Sequence, residues 1–303
     1  MTGATSPGTG RVYGVQQVCA AFGVSRSSFY SWREQDARER PSAAVHNHCV
    51  RKRGPKSKLT DAELLDHIRD DLARSPFKGE GHRKVWARLR VQRGVRVSRK
   101  RVLRVMRENQ LLSPHRVPQA PPNMHDGRIA TDSPNVMWGT DGTKVFTVED
   151  GWVWVFALVE HWNTECLGFN VCKVGDRFQA LQPVGMAIKE VFGTVGRDIA
   201  RGIALRMDHG TQYLSDHFQN QIRFWGLAPS FAFIDEPQTN GVAERFFRTM
   251  KEQAIHGRIF TDIEDVRQAV RTFVDSYNEH WLIEKLGYRS PAQARREWLE
   301  QAA

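Results

Sequence analysis

The chain has 303 residues, 40% hydrophobic, 10% aromatic and 26% charged, with a formal net charge of +10. That composition belongs to a globular protein of two or three domains and excludes disorder throughout the chain. No uncharged apolar run approaches the roughly 18 residues of a membrane span, and the opening MTGATSPGTG lacks the basic start and apolar stretch of a secretory signal.

Charge is unevenly placed. Residues 1–130 hold 26 basic and 11 acidic residues, a net of +15, whereas residues 131–303 hold 18 and 23, a net of −5. A basic half attracts a polyanion by counterion release, and nucleic acid is the usual one. The four cysteines, Cys19, Cys49, Cys166 and Cys172, form no C-x-x-C pair and read as free thiols in a reducing cytoplasm. His46, His48 and Cys49 are zinc-type donors, but no second ligand cluster accompanies them.

In chain order, residues 12–40 predict two short helices. Val15, Val18, Cys19 and Phe22 recur at helical spacing, Gly23 and Val24 break it, and Ser25 caps a second helix. This is a helix-turn-helix outline over 1–40. Residues 41–58, with Pro41, Pro55 and Arg51-Lys52-Arg53, read as a basic linker. Residues 59–112 predict a helical DNA-binding domain. Thr60 and Glu63 make a capping box, Leu64, Leu65, Ile68 and Leu72 form an apolar stripe, and Val85, Trp86 and Leu89 form another. Ser98 caps a third helix over 99–109, with Val102, Val105 and Met106 on one side and Arg99, Lys100, Arg101, Arg104 and Arg107 on the other. Such an arginine face suits a phosphate backbone or the major groove. Prolines 114, 118, 121, 122 and 134 mark a linker over 113–134.

Residues 135–260 alternate strands and helices. Strands are expected at 136–148, 152–159 and 167–174, the first two joined by a hairpin at Glu149-Asp150-Gly151. A helix at 176–192, a strand at 203–207, a helix at 216–225, a strand at 229–233 and a long helix at 239–255 follow. This order gives an α/β domain with helices on a mixed sheet, and 261–303 read as a helical extension.

Three acids fall where such a sheet brings them together. Asp141 lies inside the first strand, where a charge is costly unless it is paired or binds a cation. Asp208 follows the fourth strand directly, and Glu244 comes 35 residues further on, early in a helix. Asn240 and Lys251 are four residues before and seven after Glu244, on one helical face. Two divalent cations about 4 Å apart can clamp the attacking and leaving oxygens of a phosphodiester, and magnesium prefers carboxylate oxygens.

These residues resemble a known family. Thr140-Asp141, Asp208 with Gly210-Thr211-Gln212-Tyr213, and Asn240 with Ala243-Glu244-Arg245-Phe246-Phe247 resemble the DD(35)E integrase core. The resemblance is to bacterial insertion-sequence transposases of the insertion-sequence-three family, specifically the product of the second reading frame. Tyr277-Asn278 and Leu286-Gly287-Tyr288-Arg289-Ser290-Pro291 resemble its C-terminal signature. Phe22-Gly23-Val24-Ser25-Arg26-Ser27, Tyr30-Ser31-Trp32, and Lys100-Arg101-Val102 with Met106-Arg107-Glu108 match its first half. Met207, Thr239, Gly241 and Arg245 depart from the usual residues. The resemblance implies a ribonuclease-H-like integrase core preceded by all-α helix-turn-helix modules. It implies Asp141, Asp208 and Glu244 as catalytic and metal-binding residues, and two Mg2+ or Mn2+ ions. DNA contacts are expected from Arg26, Arg99, Lys100, Arg101, Arg104, Asn240 and Lys251. The implied function is a DNA transposase that cleaves and joins strands at element ends, in the bacterial cytoplasm with the nucleoid. Its implied partners are the terminal repeats and target DNA, a second copy of the chain or more, and a first-frame protein added by frameshift fusion; no membrane is involved. Two other functions remain open: an integrase-core nuclease without transposition, and a DNA-binding regulator with an inactive core.

Overall fold

The computed structural model describes residues 4–37, 59–112, 131–232 and 240–302. The basic linker at 41–58, the cluster at 46–49, most of the linker at 113–134 and Thr239 lie outside the described residues. The chain divides into two compact units, Met1–Lys56 and Ser57–Ala303.

In the first unit, α1 (Val15–Ala21) and α2 (Arg26–Ala37) are joined by a turn at Gly23, whose φ of +63° suits glycine. Ser25 Oγ accepts the Ser28 N–H at 3.1 Å and opens α2. Among the described residues of this unit only Cys19 is buried, and Phe22, Tyr30 and Trp32 stay exposed.

The second unit begins with three helices, α3 (Asp61–Arg74), α4 (His82–Val91) and α5 (Arg99–Glu108). Thr60 and Glu63 form the capping box, and Ser98 Oγ accepts the Arg101 N–H at 3.2 Å. Leu64, Ile68, Val85, Leu89, Val102, Val105 and Met106 close the core between them. Beside it Arg88 is buried with Asp71 and Glu80: its guanidinium meets Asp71 Oδ2 at 2.8 Å and Glu80 Oε2 at 2.5 Å.

A five-stranded sheet follows, built from β1 (Met137–Thr147), β2 (Gly151–Glu160), β3 (Cys166–Cys172), β4 (Ala204–Met207) and β5 (Ala228–Phe231) in the order β3-β2-β1-β4-β5. The first three pair antiparallel, and β4 and β5 run parallel to β1. Gly151 (φ +68°) turns the β1–β2 hairpin. One face packs on α6 (Arg177–Phe192) and α8 (Asp216–Phe224), which follows the short helix α7 (Thr211–Leu214); Trp138, Phe156, Leu158, Val184, Ile188 and Phe218 fill that side. The other face packs on α9 (Gly241–Met250) and α10 (Ile263–His280) through Val153, Val155, Ala157, Phe246, Met250 and Val270.

The single helix expected over 239–255 is corrected by the structure. After α9 the chain takes one π turn, Lys251–Ile255, closed by the His256 N–H on Lys251 O at 2.7 Å, and leaves it at Gly257, φ +75°. The last helix, α11 (Pro291–Ala302), is tied to the β2–β3 turn: the Arg295 guanidinium pairs with Glu165 and lies 3.6 Å from Glu160, and Asn163 Nδ2 donates to Pro291 O at 3.0 Å. Asn278 binds both backbone groups of Cys166 on the edge strand, at 3.0 and 2.9 Å. No helix among the described residues is long and apolar enough to cross a membrane.

Candidate active site

Parallel pairing sets the first two acids side by side. Met137 lies opposite Ala204, Trp138 opposite Leu205 and Gly139 opposite Arg206. Carried two residues past its last pair, this register brings Asp208, just beyond β4, against Asp141 at the same end of the sheet. Each carboxylate is also fixed locally. Asp141 Oδ1 accepts the Gly142 N–H at 2.7 Å, and Asp208 Oδ1 accepts the Gly210 N–H at 2.9 Å. A Cβ on Gly210 would stand 2.5 Å from Gln212 Nε2 and 3.0 Å from Asp208 Oδ1, so a larger residue here would press on the Gln212 side chain and on the Asp208 carboxylate. Glu244 reaches the site from the first turn of α9.

Asp141 is also linked electrostatically to the other two acids. Burial, and then the negative charges of Asp208 and Glu244, push the Asp141 carboxyl up to about 6, while the Gly142 N–H and the Lys251 ammonium act the other way. Partial burial also holds Glu244 above its ordinary value. Lys251 is thus in electrostatic reach of Asp141 from the start of the π turn. Tyr213, which the sequence offers only as part of a motif, is fully buried beneath these acids. Burial and the charges of Asp141 and Asp208 raise its phenol well above its ordinary value. The spacing Asp208-x-Gly210-x-x-Tyr213 was the available signal.

Other expected contacts land elsewhere. Asn240 is 3% exposed and points at the sheet, with Nδ2 3.4 Å from Thr140 O, so its assignment to DNA is corrected: it precedes α9 and ties that helix to β1. The arginine face of α5 is largely engaged within the protein. Arg101, half-buried, bonds Asp61 at 2.7 Å and Leu59 O at 2.6 Å. Arg104 bonds Asp61 at 2.5 Å and Glu108 at 2.9 Å yet stays 43% exposed. Arg99 pairs with Glu284 at 3.1 Å and lies over Trp86. Lys100 and Arg26 are exposed.

Among the described residues no three His, Cys, Asp or Glu side chains converge tightly enough to cage a metal ion. The chemistry of the donors nevertheless fits a hard cation. Asp141, Asp208 and Glu244 offer only carboxylate oxygens, and the first is desolvated beside the other two.

The integrase core domain family matches residues 226–291, and the HTH-like domain family matches residues 60–119. The chain is 30% identical over 259 residues to the Escherichia coli transposase InsD for insertion element IS2A/D/F/H/I/K, across 82% of this chain and 83% of that one. It is equally similar to InsD for insertion element IS2-9 of strain K12, across 82% and 81%. Solved structures that resemble it include the catalytic core domain of BIV integrase (19% identity, 55% of this chain and 98% of that one, TM-score 0.41). The HTLV-2 integrase catalytic core domain in complex with magnesium also resembles it (14%, 53% and 96%, TM-score 0.40). Integrase-core enzymes work with a divalent metal. With an integrase core domain behind an HTH-like domain, and with InsD as a relative over most of both chains, the chain belongs to the IS3 family of transposases, enzymes of DNA transposition.

Proposed function

We propose that Asp141, Asp208 and Glu244 are the carboxylates with which this transposase cleaves and joins DNA strands at the ends of its insertion sequence. One observation carries the reading: the parallel β1–β4 register sets Asp208 against Asp141, a desolvated strand aspartate pushed up to about 6 by burial and by the charges of Asp208 and Glu244. Like charges gathered in this way are unfavourable for folding and mark functional sites.

Two Mg2+ or Mn2+ ions held by these oxygens would stabilise charge on the attacking and leaving oxygens of the phosphodiester. The Gly142 and Gly210 N–H groups hold the two aspartates in fixed rotamers. Lys251 offers a point charge to the phosphate beside them. A water, and later a strand's 3′-hydroxyl, would be aligned here for in-line attack, first freeing an element end and then joining it. Arg26, Lys100, Arg99 and the exposed part of Arg104 supply contacts to the terminal repeats. The chain acts on DNA as a dimer or higher assembly, with a first-frame partner added by frameshift fusion, at the bacterial nucleoid.

The test is single replacement of Asp141, Asp208 or Glu244 by Ala, assayed on element-end DNA. Cleavage and joining are lost while DNA binding persists. Wild-type cleavage by any one variant removes that residue from the site.

A further inference from the structure

Asn240 occupies the N-cap position of α9, where an Asn oxygen ordinarily accepts an N–H from the helix's first turn. Here its side chain makes no such bond. Nδ2 faces Thr140 O, beside Asp141, and Oδ1 is buried with no partner. A second orphan faces the same spot. His161, just past β2, is 3% exposed and neither ring nitrogen has a partner. Its backbone is pinned on both sides, with the N–H on Met137 O at 3.0 Å and the carbonyl accepting Lys285 Nζ at 2.9 Å. Between the two orphans lies Gly139. A Cβ there would stand 2.9 Å from His161 Nε2 and 3.3 Å from Asn240 Oδ1. The missing side chain at Gly139 thus lets a buried ring nitrogen and a buried amide oxygen approach the same point of the backbone. Buried polar atoms are paired in the great majority of cases, so two orphans at one point of the backbone are candidates for each other.

We propose that His161 is a positioning residue for the catalytic site: its Nε2–H serves Asn240 Oδ1 across Gly139, fixing the amide so that Nδ2 holds Thr140 O and α9 starts where Glu244 meets Asp141. This rests on the assignment of Glu244 above. The imidazole suits the role because burial and the nearby Lys285 and Arg206 cations lower its value to about 4, leaving it neutral with one N–H to give.

The experiment is a double-mutant cycle on the full chain, read by strand joining on pre-cleaved element ends and by amide exchange of residues 241–244. His161→Leu keeps the buried volume without the donor. It lowers joining about 10–100-fold, as loss of an outer-shell partner does, speeds exchange at the start of α9, and leaves DNA affinity within about twofold. His161→Gln, which restores an N–H donor, recovers most of both signals. In an Asn240→Ala background His161→Leu has little further effect, because the partner is already gone. Gly139→Ala puts a methyl at that point and mimics His161→Leu, and it carries the comparison if His161→Leu does not fold. Wild-type joining by His161→Leu, an equal loss in both backgrounds, no rescue by Gln, or unfolding of both His161→Leu and Gly139→Ala overturns the proposal. Glu244→Ala in parallel separates the two readings. If it joins normally, the site assignment fails, while the exchange cycle still tests the His161–Asn240 link.

Discussion

In the helical module Arg88 is buried between two buried acids, and on its surface Asp61 meets both Arg101 and Arg104. At the end of the sheet Asp141 feels the charges of Asp208, Glu244 and Lys251. The consequences have opposite signs. Burial works against the Arg88 charge, but Asp71 and Glu80 outweigh it and hold the guanidinium above its ordinary value. The Arg104 and Arg101 bonds hold Asp61 below its own. Asp141 is pushed toward its neutral form. Charge in the module is paired within the fold, whereas the proposed site leaves like charges together, which a bound cation would offset.

The sharpest way to break this contrast is Asp141→Asn. Joining is abolished, yet the metal-free protein becomes more stable at neutral pH. The folded value near 6 lies above the ordinary 3.8, so protonation favours the fold fully below about 3.8, and that benefit is lost as pH rises through about 6. Above pH 6 the Asn variant therefore gains on the order of 1–3 kcal/mol, and below pH 4 it gains nothing. Thermal unfolding in chelator from pH 4 to 8 checks this, and a lower melting temperature than wild type at pH 8 would refute it. Arg88→Met is the mirror case. It strands two buried acids and costs about 3–5 kcal/mol in urea unfolding; a cost under 1 kcal/mol would mean that the triad is not buried as described.

Lys251→Glu sharpens the comparison at the site itself. It turns a cation that acts on Asp141 into a fourth acid, and joining on pre-cleaved ends falls by about 1–4 kcal/mol in activation terms, with DNA affinity little changed. Lys251→Arg keeps much of the activity. Full activity of the Glu variant would place Lys251 away from DNA. The smallest effect is expected on α5. Because the Arg104 pairs are exposed, Arg104→Ala changes stability by no more than about 1 kcal/mol. If Arg104 also contacts a phosphate, the salt slope of DNA binding drops by about 1; an unchanged slope removes Arg104 from the DNA surface.

What the sequence made legible was local or periodic. The capping box at Thr60 and Glu63, the turn at Gly151 and the strand-helix order need only neighbours within a few residues, and they appear in the fold. The acids could be noticed because a charge inside a strand or directly after one is anomalous on its own. The Arg88 triad could not, because Asp71 and Glu80 read as surface residues until the helices pack. Asn240 looked surface-borne because four residues is one helical turn, but the helix begins after it, which turns the side chain inward. The π turn after Met250 carries a link no local pattern announces: Gln253 bonds both backbone groups of Lys78, 175 residues away, at 2.9 Å each.

That link belongs to a longer seam. Phe77 lies edge-on to Trp281 at 4.8 Å, Trp86 meets Tyr288 at 5.4 Å, and Lys84 sits 3.8 Å over the Trp281 ring. A fragment beginning at residue 131 would bare two large aromatic rings and release Gln253 two residues from Lys251. It should self-associate where the longer chain stays dispersed, and supplying residues 57–112 as a separate peptide should restore its solubility.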